Sequence, residues 1–171
     1  MILNQNVPIG ADGFGRRPAA DGKRSGKSPH LGVVILQDDV EIGANSCVDR
    51  GKFRATVVGE GTNIDNLCPI AHNCRIGRYC VIAGLTVWGG SVTIGDGARV
   101  GGAVAIAEQA QIGNGVKIGG KSGVIRDIPD GKTYLGLPAT DGTQTLPQWA
   151  AIRKLPGWMK RVSRLAGIQQ V

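Results

Sequence analysis

Every sixth residue from Val58 onward is large and apolar: Val58, Ile64, Ile70, Ile76, Ile82, Trp88, Ile94, Val100, Ile106, Ile112, Ile118 and Val124. Ile and Val are 32 of the 171 residues yet fill eleven of these twelve positions, so composition does not explain the pattern. Four places further on in each hexad stand Thr62, Cys68, Cys74, Cys80, Thr86, Val92, Ala98, Val104, Ala110, Val116 and Ser122, all small or β-branched. A period of six fits neither an α-helix nor a meander. It fits an all-β fold, a parallel β-helix whose short strands each take one hexad, with large and small residues as inward plugs. Three hexads close a triangular coil of about 18 residues, and equivalent positions on successive coils stack at about 4.8 Å. Aromatic residues are only 4% of the chain, so such a core is aliphatic. Gly43, Gly59, Gly77, Gly95, Gly101, Gly113 and Gly119 in the second slot suit tight corners where a Cβ would be strained.

The departures from the repeat divide the chain. Residues 1–33 read as a partial first coil plus a long loop rich in Gly and basic residues, 34–130 as the β-helix, and 131–171 as a linker and basic C-terminal helices. An early block, Leu36, Ile42 and Val48, keeps the period but is offset by four residues, because "VDRGKFRATV" makes a small excursion. The loop "ADGFGRRPAADGKRSGKSPHLG" has no hexad, and long loops in compact domains are often functional. In the tail, Leu146, Trp149, Ile152, Leu155, Trp158, Val162 and Leu165 recur at intervals of three and four. That spacing predicts one amphipathic helix, or two broken at Pro156.

Net charge is +7, and it is concentrated in that tail. From Thr143 onward there is no Asp or Glu, while Arg153, Lys154, Lys160, Arg161 and Arg164 are positive. A basic tail on a near-neutral body suits an acidic partner, and the plain alternative is a solvated helix face. No window of about 20 residues is apolar enough to span a membrane, and the first residues lack the features of a secretory signal. The expected location is therefore the cytoplasm, where four cysteines are more naturally thiols than disulfides. Cys68, Cys74 and Cys80 fall in the small inward slot, which makes them core fillers and leaves no metal site expected.

His72 takes the third slot of its hexad and should face outward near a corner, either as an exposed bystander or as a working group. Eighteen residues on lies Gly90, one strand spacing above it. A general base beside an unshielded backbone N–H suits acyl transfer, the imidazole taking a proton and the N–H holding the oxyanion. Asp65 and Asn66 could hydrogen-bond a substrate or could simply be corner turn residues. No nucleophile elbow is present.

"GADGFG" at 10–15, "DRG" at 49–51, "IDN" at 64–66, "IAHN" at 70–73, "KSGVIRDIP" at 121–129 and "LPQWAAIRKLPGWMKRV" at 146–162 together resemble the UDP-3-O-(3-hydroxyacyl)glucosamine N-acyltransferases of lipid A biosynthesis. The resemblance implies left-handed coils of the hexapeptide-repeat type and a homotrimer with active sites between neighbouring prisms. The expected reaction moves a 3-hydroxyacyl chain from acyl carrier protein to the 2-amino group of a UDP-linked glucosamine. The acyl group rides on the carrier's phosphopantetheine, and no further cofactor is implied. His72 and Gly90 become the catalytic pair; Asp65, Asn66 and Gln109 bind substrate; Arg153, Lys154, Lys160 and Arg161 meet the acidic carrier, with no nucleic acid and no membrane span. Gln109 stands where the family has a second histidine, and the family's N-terminal uridine-binding domain is not expected here. The alternatives are a different amino sugar or a catalytically silent carrier-binding paralogue. A zinc-dependent carbonic anhydrase on the same prism would need three histidines, which His30 and His72 cannot supply.

Overall fold

A computed structural model describes residues 1–165; the last six residues of the tail segment expected at 131–171 lie outside it. The chain winds as a parallel β-helix of about 6 turns with three strand faces. The first face stacks Ile2–Leu3, Glu41–Ile42, Asn63–Ile64, Val81–Ile82, Arg99–Val100, Lys117–Ile118 and Thr133–Leu135, closed by the antiparallel Thr140–Asp141. The third face stacks Val34–Leu36, Thr56–Val58, Arg75–Ile76, Thr93–Ile94 and Gln111–Ile112. Registers follow the 18-residue arithmetic: Ile64 pairs with Ile82, Ile82 with Val100, and Ile76 with Ile94.

The second face is split. Ile9–Ala11, Cys47–Asp49 and Pro69–Ile70 form one sheet, and Val87–Trp88, Ala105–Ile106 and Gly123–Val124 another. Pro69 has no N–H to donate across the seam. Trp88, on the far side, is buried as a plug with its Nε1 unpartnered. The ladder lapses one residue column away from His72 and Gly90.

Both plug series are buried as the hexads require. Ile42, Ile70, Ile82, Val92, Val104 and Val116 are inaccessible or nearly so, as are Cys68, Cys74 and Cys80. Each of these thiols points at a carbonyl one coil on, for example Cys80 Sγ at Gly95 O, 3.2 Å away. Burial pushes the Cys74 thiol up to about 11.

Three points sharpen the expectations. The second-slot glycines are not the positive-φ residues; that conformation falls in the fourth slot, at Leu67, Asn73, Tyr79, Leu85, Ser91 and Gln109. Second-slot glycine is required by close approach instead: a Cβ at Gly77 or Gly95 would sit 2.6 Å from the backbone nitrogen of the next coil. The loop after Ala11 is also more ordered than its sequence suggests. It contains an antiparallel hairpin, Arg16–Pro18 against Ser25–Lys27. Finally, the tail is one continuous helix, Gly142–Leu165, carrying Pro147 and Pro156 within it. Its apolar residues, Trp149, Ile152, Trp158 and Val162 among them, are exposed in the single chain.

Candidate active site

The two irregular segments enter at the same place. The hairpin loop leaves after Ala11 and the short excursion after Asp49, both at the corner between the second and third faces. His72 occupies that corner one coil further on, with Gly90 and then Glu108 in register above it and Gln109 the residue after Glu108. The stacking is direct: Ser91 N–H donates to His72 O at 2.9 Å, and Gln109 N–H donates to Gly90 O at 2.9 Å.

His72 is half-buried, and its ring is held on several sides. The amide oxygen of Asn73 accepts the Lys52 N–H at 3.0 Å, which identifies it as oxygen, and lies 3.1 Å from His72 Nδ1. Nδ1 therefore carries the proton and donates to Asn73, leaving the Nε2 lone pair free as a base. Thr56 Oγ1 fixes Asn73 from behind by accepting its N–H at 2.9 Å. Gly90 faces the working edge: a Cβ there would lie 2.5 Å from Cε1 and 2.7 Å from Nε2.

Among the described residues the third-slot N–H groups of His72, Gly90, Gly102, Glu108 and Gly120 have no acceptor, and of these residues Gly90 alone is buried. At several other corners the equivalent N–H is capped by a side-chain oxygen: Ala44 by Asn66, Arg78 by Asp96, Asp96 by Asn114 and Asn114 by Asp130. The buried Gly90 N–H donates to no acceptor among the described residues. Buried backbone donors are rarely left so.

The segment "DRG" explains itself locally. Arg50 Nε donates to Gly10 O at 2.8 Å and ties the first coil's loop to the corner. Gly51 admits the Arg54 carbonyl where a Cβ would collide. Asp49 is half-buried close to His72 and His30; burial raises its carboxyl above the usual range, and the two imidazoles act in the opposite direction.

The other expected site residues are distributed. Asp65 and Asn66 lie at the preceding corner, one face away from His72 in the same chain. There Asp65 accepts the Asn66 and Gly84 N–H groups, and Asn66 accepts that of Ala44. Both also line an open groove of about 510 Å³ on the first face with Asn4, Glu41 and Val81. Gln109 is exposed, in register with Ser91 rather than with Gly90, whose carbonyl accepts its backbone N–H. Arg153, Lys154, Lys160 and Arg161 are exposed on the C-terminal helix and form no ion pair among the described residues. Among those residues no cluster of three metal-ligating side chains occurs, and no helix is long and apolar enough to cross a membrane.

Sequence reasoning missed Asn73, His30 and the proximity of Asp49. Asn73 was visible as the neighbour of His72 within the hexads, but its contact with the ring was not. His30 belongs to an aperiodic loop, which the six-residue period cannot place.

No protein-family model matches the sequence. The chain is 44% identical over 164 residues, 96% of its length and 47% of the relative's, to UDP-3-O-acylglucosamine N-acyltransferase 1 of Francisella tularensis subsp. tularensis. It is 50% identical over 139 residues, 81% of its length, to UDP-3-O-acylglucosamine N-acyltransferase of Methylorubrum populi, of which it covers 39%. The chain thus spans about half the length, or less, of the curated relatives it matches. Among solved structures, Arabidopsis UDP-N-acetylglucosamine acyltransferase superposes with a TM-score of 0.71 at 25% identity, covering 82% of this chain and 46% of that one.

Proposed function

We propose that this chain, a homologue of the UDP-3-O-acylglucosamine N-acyltransferases, transfers a 3-hydroxyacyl chain from acyl carrier protein to the 2-amino group of a UDP-linked glucosamine in lipid A biosynthesis. The observation that carries the reading is the corner pair: a tautomer-fixed imidazole whose Nε2 edge faces Gly90, and a buried Gly90 N–H without an acceptor. In this reading the sugar amine attacks the thioester carbonyl carbon while His72 Nε2 takes the amine proton. The carbonyl oxygen becomes an oxyanion and accepts a hydrogen bond from the Gly90 N–H. The carbon–sulfur bond then breaks, and His72 returns the proton to the departing thiolate. No metal is called for, because the amine is itself a competent nucleophile once deprotonated.

The assembly in this reading is a homotrimer. Asp65 and Asn66 lie a face away from His72 within one chain, so they serve the site of a neighbouring prism. Gln109 lies next to the column above the base, in register with Ser91, where its amide can bond the acyl or pantetheine portion without titrating. The exposed basic residues of the C-terminal helix face acyl carrier protein, which is acidic, and the reaction belongs in the cytoplasm. The test is thiol release from 3-hydroxyacyl carrier protein with UDP-linked and free amino sugars as acceptors. His72→Ala should lower kcat by about 10²–10⁴-fold in the folded protein. Parent-like turnover in that variant would remove the catalytic assignment and leave a carrier-binding paralogue.

A further inference from the structure

Among the described residues, three buried side-chain nitrogens lack a hydrogen-bond partner, and two of them are Nδ1 and Nε2 of His30, which is only 2% exposed. A buried imidazole with neither nitrogen satisfied is costly unless its place serves another purpose. Its place is against the base: the His30 and His72 ring centroids are 5.1 Å apart with planes tilted 56°. The "GADGFG" backbone closes over both rings. A Cβ at Gly13 would lie 2.9 Å from His72 Cβ and Cδ2 and 3.0 Å from His30 Nε2, and one at Gly15 would lie 2.8 Å from His30 Cε1. Thus Gly13 bounds the Cβ–Cδ2 side of His72, while Gly90 bounds the edge that carries Nε2. The charged groups around the pair are Asp49 beneath it, Asp12 paired with Lys27 in the loop, and Arg50, which anchors that loop.

We propose that His30 is a positioning residue for acyl transfer: seated under the Gly13–Gly15 backbone, its ring sets the orientation in which His72 presents Nε2 toward Gly90. The role rests on the acyl-transfer reading above, and it is a geometric one. His30 touches His72 and the loop, and reaches substrate only through them. It also accounts for two glycines in one short motif, since any side chain at either would displace an imidazole.

The test compares His30→Ala, which empties the space beside the His72 ring, with His30→Gln, which refills it with a planar group. Turnover is measured with 3-hydroxyacyl carrier protein and UDP-linked glucosamine, alongside imidazole ¹⁵N spectra of the full chain. Only two histidines contribute to those spectra, so each ring is readable. We expect His30→Ala to lower kcat about 10- to 100-fold, with both KM values changed less than about 2-fold. The His72 signals should move away from the Nδ1–H tautomer pattern, and His30→Gln should recover most of the rate. Unchanged His72 signals in both variants overturn the proposal, as does a rate loss that merely follows the folded fraction. If the parent transfers no acyl group to any acceptor, the acyl-transfer reading fails by itself, and the His72 spectra still decide whether His30 orients the ring.

Discussion

At position 90 the absence of one carbon matters to a neighbour more than to the backbone. Gly90 is not among the positive-φ residues, so its backbone would accept alanine, but the new Cβ would press on His72 Cε1 and Nε2. Gly90→Ala should therefore lower kcat by about 100-fold with an unchanged thermal melt, because a displaced base is a misaligned one. Steady-state kinetics beside circular dichroism melts would check it; a stable variant with parent kinetics would show that the base does not work at this edge. The outward position of His72 and its vertical neighbour were legible from the sequence, because both follow from counting to six and to eighteen. The proton on Nδ1 was not legible, since it depends on the Asn73 amide being turned by the Lys52 N–H.

Strands of two residues recur here because the ladder between coils, rather than length within a strand, holds each one. That is why the hexads disclosed nearly the whole prism, while the hairpin at Arg16–Lys27 escaped: it pairs with itself and owes nothing to the coil period. The strain expected at a second-slot Cβ is present, and the structure traces it to the next coil's backbone rather than to a left-handed φ, because sequence shows where side chains are missing but not which direction is crowded. The two explanations separate experimentally. Gly77→Ala drives a Cβ to within 2.6 Å of Asp96 N and its carboxyl oxygen, whereas Gly97 has open space and a φ of +68°. We expect Gly77→Ala to cost about 1–3 kcal/mol by overpacking, and Gly97→Ala about 1–2 kcal/mol by left-handed strain. The Gly97 variant should be rescued by Asn, the Gly77 variant by no side chain; urea denaturation of the four variants reads this directly.

The C-terminal helix supplies a second prediction at the scale of elements. Charge reversal at Lys154, Lys160 and Arg161 should raise KM for acyl carrier protein several-fold more than for a small acyl-pantetheine donor. Added salt should shrink the difference, as for any steered encounter between exposed charges. Equal effects on both donors would assign the helix to packing alone.

For the molecule as a whole, the cysteine column ties stability to alkaline pH. The Cys74 thiol, held up to about 11 from 9.0 by burial, keeps a proton in the folded state that the unfolded chain releases above about pH 9. By linkage its contribution is complete below pH 9 and is lost as the pH rises through 11, on the order of 2–3 kcal/mol at most. The urea midpoint should fall between about pH 8.5 and 10.5, and fall less in Cys74→Ala; parallel slopes in the two proteins would contradict this.

A fold wound from hexads also keeps a calendar. Eighteen residues inserted between Gln109 and the closing strands would lift the C-terminal helix one storey, about 4.8 Å, and return it to the same side of the prism. Six residues would swing it to the next face and leave the His72 corner untouched. The angle from which a partner bound to that helix approaches the corner is thus written in the residue count between them. Whole-coil insertions should change reach, and single-hexad insertions should change bearing.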